Sequence, residues 1–91
     1  MDSIHLNITV KGKVQGVWFR ASTRDKALEL GLSGMVMNQS DGSVYLEAEG
    51  TKEQLDSLLS WCHLGPERAE VISVDVEEGD WCNYEGFQIV R

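Results

Sequence analysis

The chain opens with a regular alternation of apolar and polar residues. Four apolar residues occupy every second position: Ile4, Leu6, Ile8 and Val10. A period of two is typical of a β-strand with one buried face, so the sequence predicts a strand that ends at the glycine-bracketed turn from Gly12 to Gly16. The same alternation places His5 on the polar face, where we expect it to contact solvent.

Two later segments have the spacing of a helix. Between Phe19 and Leu30, alanine and leucine residues lie among charged ones, and Gly31 follows where a C-terminal helix glycine belongs. A second helix is predicted to begin at Thr51, because Gln54 three residues later completes a capping box. Its apolar residues recur at i, i+3, i+4 and i+7 and form one stripe: Leu55, Leu58, Leu59 and Cys62. Gly65-Pro66 ends this helix.

Four further segments have the character of strands. Gly34 to Asn38 and Ser43 to Glu49 flank the turn residues Ser40-Asp41-Gly42, which predicts a hairpin. Alternating apolar residues after the second helix predict another strand: Ile72, Val74 and Val76. Phe87 and Ile89 indicate a short terminal strand.

The order of these elements defines the fold class. A β-α-β-β-α-β order with a short extra strand predicts an α+β fold, a ferredoxin-like βαββαβ sandwich. Its antiparallel sheet has two helices on one face and a short C-terminal strand. The length of 91 residues favours a single domain over residues 1–91. Because this fold hosts many unrelated functions, function has to be argued from a site.

Composition narrows the function and the compartment. The 15 acidic and 8 basic residues give a net charge of −7, which disfavours a partner held by bulk positive charge, such as nucleic acid. Neither a positively charged leader nor an apolar run of the ~18 residues that a membrane helix needs is visible. Cys62 and Cys82 lack zinc-ligand spacing and predict two reduced thiols. We therefore expect a cytoplasmic protein.

The charges are distributed unevenly along the chain. From Ser3 to Arg24 there is no acidic residue, whereas residues 41–85 contain twelve acids and two bases. The acid-free stretch holds the turn from Gly12 to Val17, directly before a predicted helix. Glycines let successive backbone N–H groups converge on one anion, and Arg20 in the first helical turn is placed to bind two of its oxygens. The pattern predicts a pocket of phosphate size, and spacing alone leaves open a plain turn with Arg20 in solvent.

The turn matches neither of two widespread glycine-rich phosphate loops. A Walker loop has a Lys-Ser or Lys-Thr pair after its second glycine, and here Gly16 is followed by Val17-Trp18. A dinucleotide fingerprint needs three glycines in the first turn, where this chain has two.

Two segments together resemble a known family. Val10 to Arg20, with the sequence VKGKVQGVWFR, resembles the first signature of the acylphosphatases at every specified position. Gly34 to Asn38 is similar to the second signature, with Met35 where the family usually has an aromatic residue. That signature continues at the family's spacing through three residues: Gly42, Val44 and Gly50. The resemblance spans essentially the whole chain.

The resemblance implies hydrolysis of a carboxyl–phosphate anhydride to a carboxylate and inorganic phosphate. It implies a small-molecule acyl phosphate as substrate, inorganic phosphate as product, and no metal or organic cofactor. We also expect inhibition by inorganic phosphate, no nucleic-acid or membrane partner, and a monomer. By position, Arg20 would be the catalytic arginine that clamps the phosphate, and Asn38 would orient the attacking water. The backbone N–H groups of five residues would bind the phosphoryl oxygens: Lys13, Val14, Gln15, Gly16 and Val17.

Elementary chemistry agrees with these roles. An acyl phosphate has a good leaving group, so its hydrolysis needs positioning and charge stabilisation more than a strong acid. An asparagine amide holds a water as donor and acceptor without adding negative charge beside the phosphate. Without the resemblance, the preferred interpretation of Asn38 is a residue that ends a strand before a turn, and the resemblance reverses that preference.

Two other functions are compatible with the same fold. One is a non-catalytic ferredoxin-like module that binds a phosphate-bearing ligand or a protein, although a pure binder has no need for Asn38 to position water. The other is RNA recognition, which needs exposed aromatic and basic residues on the sheet. The candidate sheet-face residues suit RNA poorly: Asn7, Thr9, Tyr45, Glu47 and Asp75.

The remaining aromatic and imidazole side chains are predicted to be structural. Trp18, beside the loop, is expected to pack as a hydrophobic residue, with a wall of the pocket or a contact to an acyl group as the alternative. Trp61 and Trp81 are also expected to pack. His63, at the end of the second helix, is expected at the surface.

Overall fold

The computed structural model describes residues 3–90 of the chain, which form five strands and two helices. The strands are β1 (Ser3–Lys13), β2 (Ser33–Asn38), β3 (Val44–Thr51), β4 (Glu70–Gly79) and β5 (Phe87–Ile89). The helices are α1 (Phe19–Glu29) and α2 (Lys52–Leu64). The predicted ferredoxin-like order of elements, with a short final strand, is confirmed.

The five strands form one sheet in the order β4-β1-β3-β2-β5. β1 pairs with β3 and β4, and β2 pairs with β3, all in antiparallel orientation. β5 joins the edge of β2 in parallel, so the predicted antiparallel sheet contains one parallel pair. Val44 of β3 pairs with Val10 on one side and with Asn38 on the other. The loop after β1 and the end of β2 therefore meet at the same end of the sheet.

One face of the sheet and both helices enclose a single apolar core. The helices contribute five side chains that are fully or almost fully buried: Phe19, Ala27, Leu55, Leu58 and Cys62. These pack on inward-facing strand residues that are fully buried: Ile8, Val10, Val36, Val44 and Leu46. Each buried aliphatic side chain of this size stabilises the fold by about 1.5–3 kcal/mol. The predicted stripe of α2 is confirmed, with Leu59 partly buried at its margin.

The helix ends follow the predicted local signals. Thr51 Oγ1 accepts a hydrogen bond from the Gln54 N–H, and Gln54 Oε1 accepts one from the Thr51 N–H, which completes the capping box. Gly31 has φ +80° after α1, and the Leu32 N–H reaches back to the Ala27 carbonyl at 2.9 Å. Within residues 3–90, neither helix has the length and apolar character to cross a membrane.

β4 departs from regular alternation at one residue. Lys11 pairs with Ser73 and Gly12 pairs with Val71, so a bulge leaves Ile72 without a partner. Ile72 is 83% exposed, so the alternation predicted the strand correctly but not which of its apolar side chains are buried. Gly12 has φ +132°, and a Cβ there would collide with the backbone of the opposing strand.

The other face of the sheet is covered at one end by residues 82–84. His5 is only 3% exposed, and its Nδ1 lies 2.7 Å from Oε2 of Glu49. The backbone N–H groups of Cys82 and Tyr84 donate to the same carboxylate, at 2.5 and 2.8 Å. Burial raises the pKa of the Glu49 carboxyl, but these hydrogen bonds outweigh burial and lower it. The prediction that His5 contacts solvent is wrong, because strand alternation cannot show which segment later folds over a face.

Two tryptophans and the two cysteines differ in environment. Trp61 packs on Phe19, with ring centroids 5.4 Å apart, as predicted. Trp81 is 52% exposed, so its predicted packing is wrong, because the segment after β4 leaves it outside the core. Both cysteines are free thiols, Cys62 buried and Cys82 exposed.

Candidate active site

Residues 14–18 connect the end of β1 to the start of α1. The side chains of Val14 and Val17 are buried in the core and anchor this loop on either side of Gly16. Gly16 has φ +75°, and Trp18, which caps α1, has φ +65°. Left-handed residues in a short loop turn successive N–H groups toward one side.

The backbone N–H groups of residues 14–18 donate to no acceptor within the part of the chain that the structure describes. The first hydrogen bond of α1 runs from the Ser22 N–H to the Trp18 carbonyl at 3.0 Å. The N–H groups of residues 19–21 therefore have no partner inside the helix either, and Trp18 offers no side-chain cap. This row of free donors at a helix N-terminus has positive partial charge and suits an anion.

Arg20 and Asn38 line one cleft of about 350 Å³ beside this loop. Arg20 lies in the first turn of α1, and Asn38 is the last residue of β2. Six other residues line the same cleft: Val14, Gly16, Trp18, Phe19, Ala21 and Ile89. The fold thus brings together the two side chains that the sequence singled out, although they belong to different elements.

Within residues 3–90, both side chains have polar groups without a partner. The Oδ1 atom of Asn38 is buried and has no hydrogen-bond partner among residues 3–90. An unsatisfied buried acceptor costs about 1–3 kcal/mol, so such an atom is expected to pair with a water or a ligand. Arg20 forms no ion pair with the described residues, whereas Arg24, one turn later, lies 3.1 Å from the Asp25 carboxylate.

Gln15 has a role that the sequence did not indicate. Its side-chain Nε2 donates to the carbonyl oxygens of Gln39 at 2.8 Å and Ser43 at 2.9 Å. Both acceptors belong to the β2–β3 turn, in which Ser43 also hydrogen-bonds Asp41 and thereby lowers the pKa of that carboxyl. No sequence signal marks this link, because its acceptors are backbone carbonyls far along the chain.

The structure gives Lys13 and Trp18 surroundings that the sequence did not predict. Lys13, placed at the start of the loop by the sequence, is the last residue of β1 and pairs with Glu70. Trp18 is 79% exposed, so its predicted packing is wrong. Its left-handed backbone at the helix cap turns the indole outward, where it lines the rim of the cleft.

The chemistry of the cleft is that of an anion site. Its charged side chain is that of Arg20, and its other polar groups are neutral backbone and amide groups. Among the described residues that line it there is no Asp, Glu, His or Cys, so it offers few of the ligands that metals prefer. The arrangement suits a small anion with one neutral molecule beside it.

Comparison with known proteins agrees with this geometry. A family model described as Acylphosphatase matches residues 6–89. The curated acylphosphatase of Pelotomaculum thermopropionicum is 44% identical over 90 residues, which is 98% of this chain and 98% of that protein. A solved acylphosphatase from Coxiella burnetii has a TM-score of 0.95 at 42% identity, over 98% of this chain and 94% of that one. One from Bacillus subtilis has a TM-score of 0.94 at 32% identity, over 97% and 99%.

Proposed function

The chain belongs to the acylphosphatase family and hydrolyses acyl phosphates, and we propose that the cleft lined by Arg20 and Asn38 is where it does so. One observation carries this proposal: the Asn38 Oδ1 atom is buried without a partner among residues 3–90. It belongs to the same cleft as the free donors of the loop. Hydrolysis of a small phosphorylated molecule needs both features, donors for the phosphate and a fixed acceptor for the water.

The phosphoryl group binds to the loop. Backbone N–H groups from Val14 to Val17 donate to its oxygens, and the guanidinium of Arg20 donates two parallel hydrogen bonds from the side of the helix. The buried side chains of Val14 and Val17 hold the loop in place before substrate arrives. Donors fixed in advance stabilise the charge that develops in the transition state without having to reorganise.

Asn38 positions the nucleophile. Its Oδ1 accepts a hydrogen bond from a water molecule and so directs a lone pair of the water oxygen at phosphorus. The new O–P bond forms as the bond from phosphorus to the acyl oxygen breaks, and the carboxylate leaves with the electron pair. Because no Asp, Glu, His or Cys lines the described cleft, the proton of the water passes to an oxygen of the substrate's own phosphate.

The same site accounts for the other properties we propose. Inorganic phosphate uses the donors that bind the substrate, so it inhibits as a product. This mechanism needs no metal and no organic cofactor.

Two free thiols suit a reducing compartment, so we place the protein in the cytoplasm. We also propose that it is a monomer and that residues 1–91 form a single domain.

No observation favours the non-catalytic alternative, and the similar proteins give it no support. A module that only binds phosphate gains nothing from a buried, unpaired amide oxygen that costs about 1–3 kcal/mol. RNA recognition is also disfavoured, because Glu47 and Asp75 place negative charge on the sheet face that such modules use.

The direct test is hydrolysis of benzoyl phosphate in the presence of a chelator. We expect the wild type to be active, and Arg20→Gln and Asn38→Ala each to lose about 10²–10³-fold in turnover, the effect of removing one oriented group. Inhibition by inorganic phosphate should survive in Asn38→Ala and weaken in Arg20→Gln. Of these two side chains, Arg20 alone contacts the phosphate.

Two substitutions of the same types serve as controls. Arg24→Gln removes a guanidinium from the same helix outside the cleft, and Asn83→Ala removes an exposed amide. Both should keep full activity. An inactive wild type would refute catalysis in general, whereas equal activity in Arg20→Gln and Arg24→Gln would refute the assignment of the site.

A further inference from the structure

Three side chains of different donor type converge on the face of the sheet that the helices leave open. They are His5 of β1, Glu47 of β3, and Cys82 in the segment after β4. One imidazole nitrogen, one carboxylate oxygen and the thiol sulfur all lie within 4.8 Å of one another. We propose that these three residues bind a zinc ion, at a site that shares no residue with the catalytic cleft.

The orientation of His5 is the one that a metal ligand requires. Its Nδ1 lies 2.7 Å from Glu49 Oε2 and donates its proton to that carboxylate. Glu49 is itself held by the N–H groups of Cys82 and Tyr84. The other ring nitrogen, Nε2, faces the cluster and donates to the Asn7 Oδ1 atom at 2.8 Å, so zinc would take the place of the Nε2 proton. A carboxylate on the far nitrogen is the usual partner of a metal-binding histidine.

Glu47 is fixed just as firmly. The Tyr45 hydroxyl donates to its Oε2 at 2.6 Å, and the Tyr84 hydroxyl donates to its Oε1 at 2.7 Å. Oε1 lies 3.3 Å from His5 Nε2 and keeps a second lone pair for a cation. Ligands about 2.0–2.3 Å from a tetrahedral zinc ion lie about 3.3–3.6 Å apart. The nitrogen and the oxygen therefore already have the separation that zinc imposes.

The charges around the cluster also favour a cation. His5 Nε2 faces two oxygen acceptors, Glu47 Oε1 and the Asn7 Oδ1 atom at 2.8 Å. Within residues 3–90, no Lys or Arg forms an ion pair with Glu47 or Glu49. A metal ion placed among these groups attracts the lone pair of Nε2 and the carboxylate together.

The sulfur of Cys82 determines the metal preference of the site. A mixed nitrogen, oxygen and sulfur set suits zinc, whereas magnesium and calcium require oxygen ligands. Cys82 is exposed, so an ion reaches the cluster from solvent. On binding, His5 Nε2 and the Cys82 thiol each release a proton to solvent, and the sulfur coordinates as a thiolate. The ion would tie the segment around Cys82 to β1 and β3, and thereby stabilise the folded chain by mass action.

The chain contains matched controls for two of the ligands, since it has two cysteines and two histidines. Burial raises the pKa of the Cys62 thiol to about 12, so this thiol stays protonated within the core. His63 is exposed on α2. Cys62→Ala and His63→Gln therefore remove the same functional groups at places where no zinc site is proposed.

The test is titration of the chelator-stripped protein with zinc by calorimetry, and with cobalt(II) by absorption. We expect one zinc per chain and a thiolate-to-cobalt charge-transfer band in the wild type, Cys62→Ala and His63→Gln. Cys82→Ser should abolish the band and weaken zinc binding about 10²-fold or more, and Glu47→Gln should weaken zinc binding with the band retained. Cys82 is exposed, so its substitution leaves the fold intact even if His5→Gln does not.

Two results would overturn the proposal: no stoichiometric zinc in the wild type, or the same charge-transfer band in Cys82→Ser. Zinc should also raise the midpoint of thermal unfolding in the wild type and not in Cys82→Ser. Arg20→Gln, which lacks the proposed hydrolytic activity, should bind zinc like the wild type. A negative result for the zinc site therefore leaves the proposed catalytic site unaffected, and the reverse also holds.

Discussion

The side-chain amide of Gln15 lies 2.8 Å from the carbonyl oxygen of Gln39 and donates a hydrogen bond to it. A second hydrogen bond from the same nitrogen reaches Ser43 at 2.9 Å. These bonds fasten the loop between β1 and α1 to the turn that directly follows Asn38. The proposed phosphate-binding groups and the proposed water-binding residue are thus held at a fixed separation by a side chain with neither role.

Gln15→Ala should lower turnover of benzoyl phosphate by about 10²-fold, because catalysis is sensitive to displacements of about 1 Å between the reacting groups. It should also lower the free energy of unfolding by about 1–3 kcal/mol, since two hydrogen bonds worth about 0.5–1.5 kcal/mol each are lost. Steady-state kinetics and urea unfolding measure the two effects. Gln88→Ala, at an exposed position of β5, is the control. Equal turnover in the two variants would show that the loop holds its place without Gln15.

Asn38→Asp should reduce activity further than Asn38→Ala at neutral pH. The carboxylate keeps an acceptor for the water but places negative charge next to the phosphate, and like charges repel strongly in a partly buried site. The Michaelis constant and the inhibition constant of phosphate should both rise in Asn38→Asp. Asn83→Asp makes the same change of charge at an exposed, left-handed position and should change neither constant. A phosphate inhibition constant equal to that of Asn38→Ala would contradict the proximity of Asn38 to the phosphate.

Trp18→Gly should discriminate between substrates. The indole lies at the rim of the cleft and offers an apolar surface to the acyl group. Its loss should raise the Michaelis constant for benzoyl phosphate more than for acetyl phosphate, by about fivefold if one stacking contact of about 1 kcal/mol is removed. Trp18 has φ +65°, which glycine adopts freely, so the fold should tolerate the change. Trp81→Gly is the control away from the cleft, and an equal effect on both substrates would argue against contact with the acyl group.

Gly34→Ala should destabilise the protein by more than about 3 kcal/mol. Gly34 has φ +154°, and a Cβ there would collide with the backbone carbonyl of Glu47 on the neighbouring strand. Gly86→Ala is the matched control. Gly86 has φ +70°, and no atom lies within 4 Å of the added Cβ. This substitution should therefore lower the free energy of unfolding by only about 1 kcal/mol, the cost of a left-handed backbone at alanine. Urea midpoints compare the two variants. Similar midpoints would mean that strands β2 and β3 separate easily enough to admit a methyl group.

Much of the fold was predictable because its signals are local. The capping box of Thr51 and Gln54 and the glycine after α1 act within a few residues of chain, and both form as predicted. The catalytic candidates Arg20 and Asn38 were also predictable, since their motifs are short and retain their spacing. Both residues line one cleft, and their catalytic roles stay predictions that the experiments above test.

The wrong prediction for His5 and the unexpected exposure of Ile72 share one physical cause. His5 and Ile72 were assigned by alternation, which describes the pleat of a strand and nothing beyond it. A later segment covers His5, and a bulge opposite Gly12 exposes Ile72. The link from Gln15 was missed because a backbone carbonyl, present in every residue, carries no sequence signal.

By itself the sequence determined the order of strands and helices, their caps, the glycine turn and the positions of Arg20 and Asn38, because these depend on neighbours along the chain. Only the tertiary structure decided which buried groups lack partners and which distant residues meet. The buried pair of His5 and Glu49, 44 residues apart, and the cluster with Cys82 exist because three separate segments pack on one face of the sheet. Contacts of that kind depend on how the chain folds back on itself, and no pattern of neighbouring residues encodes them.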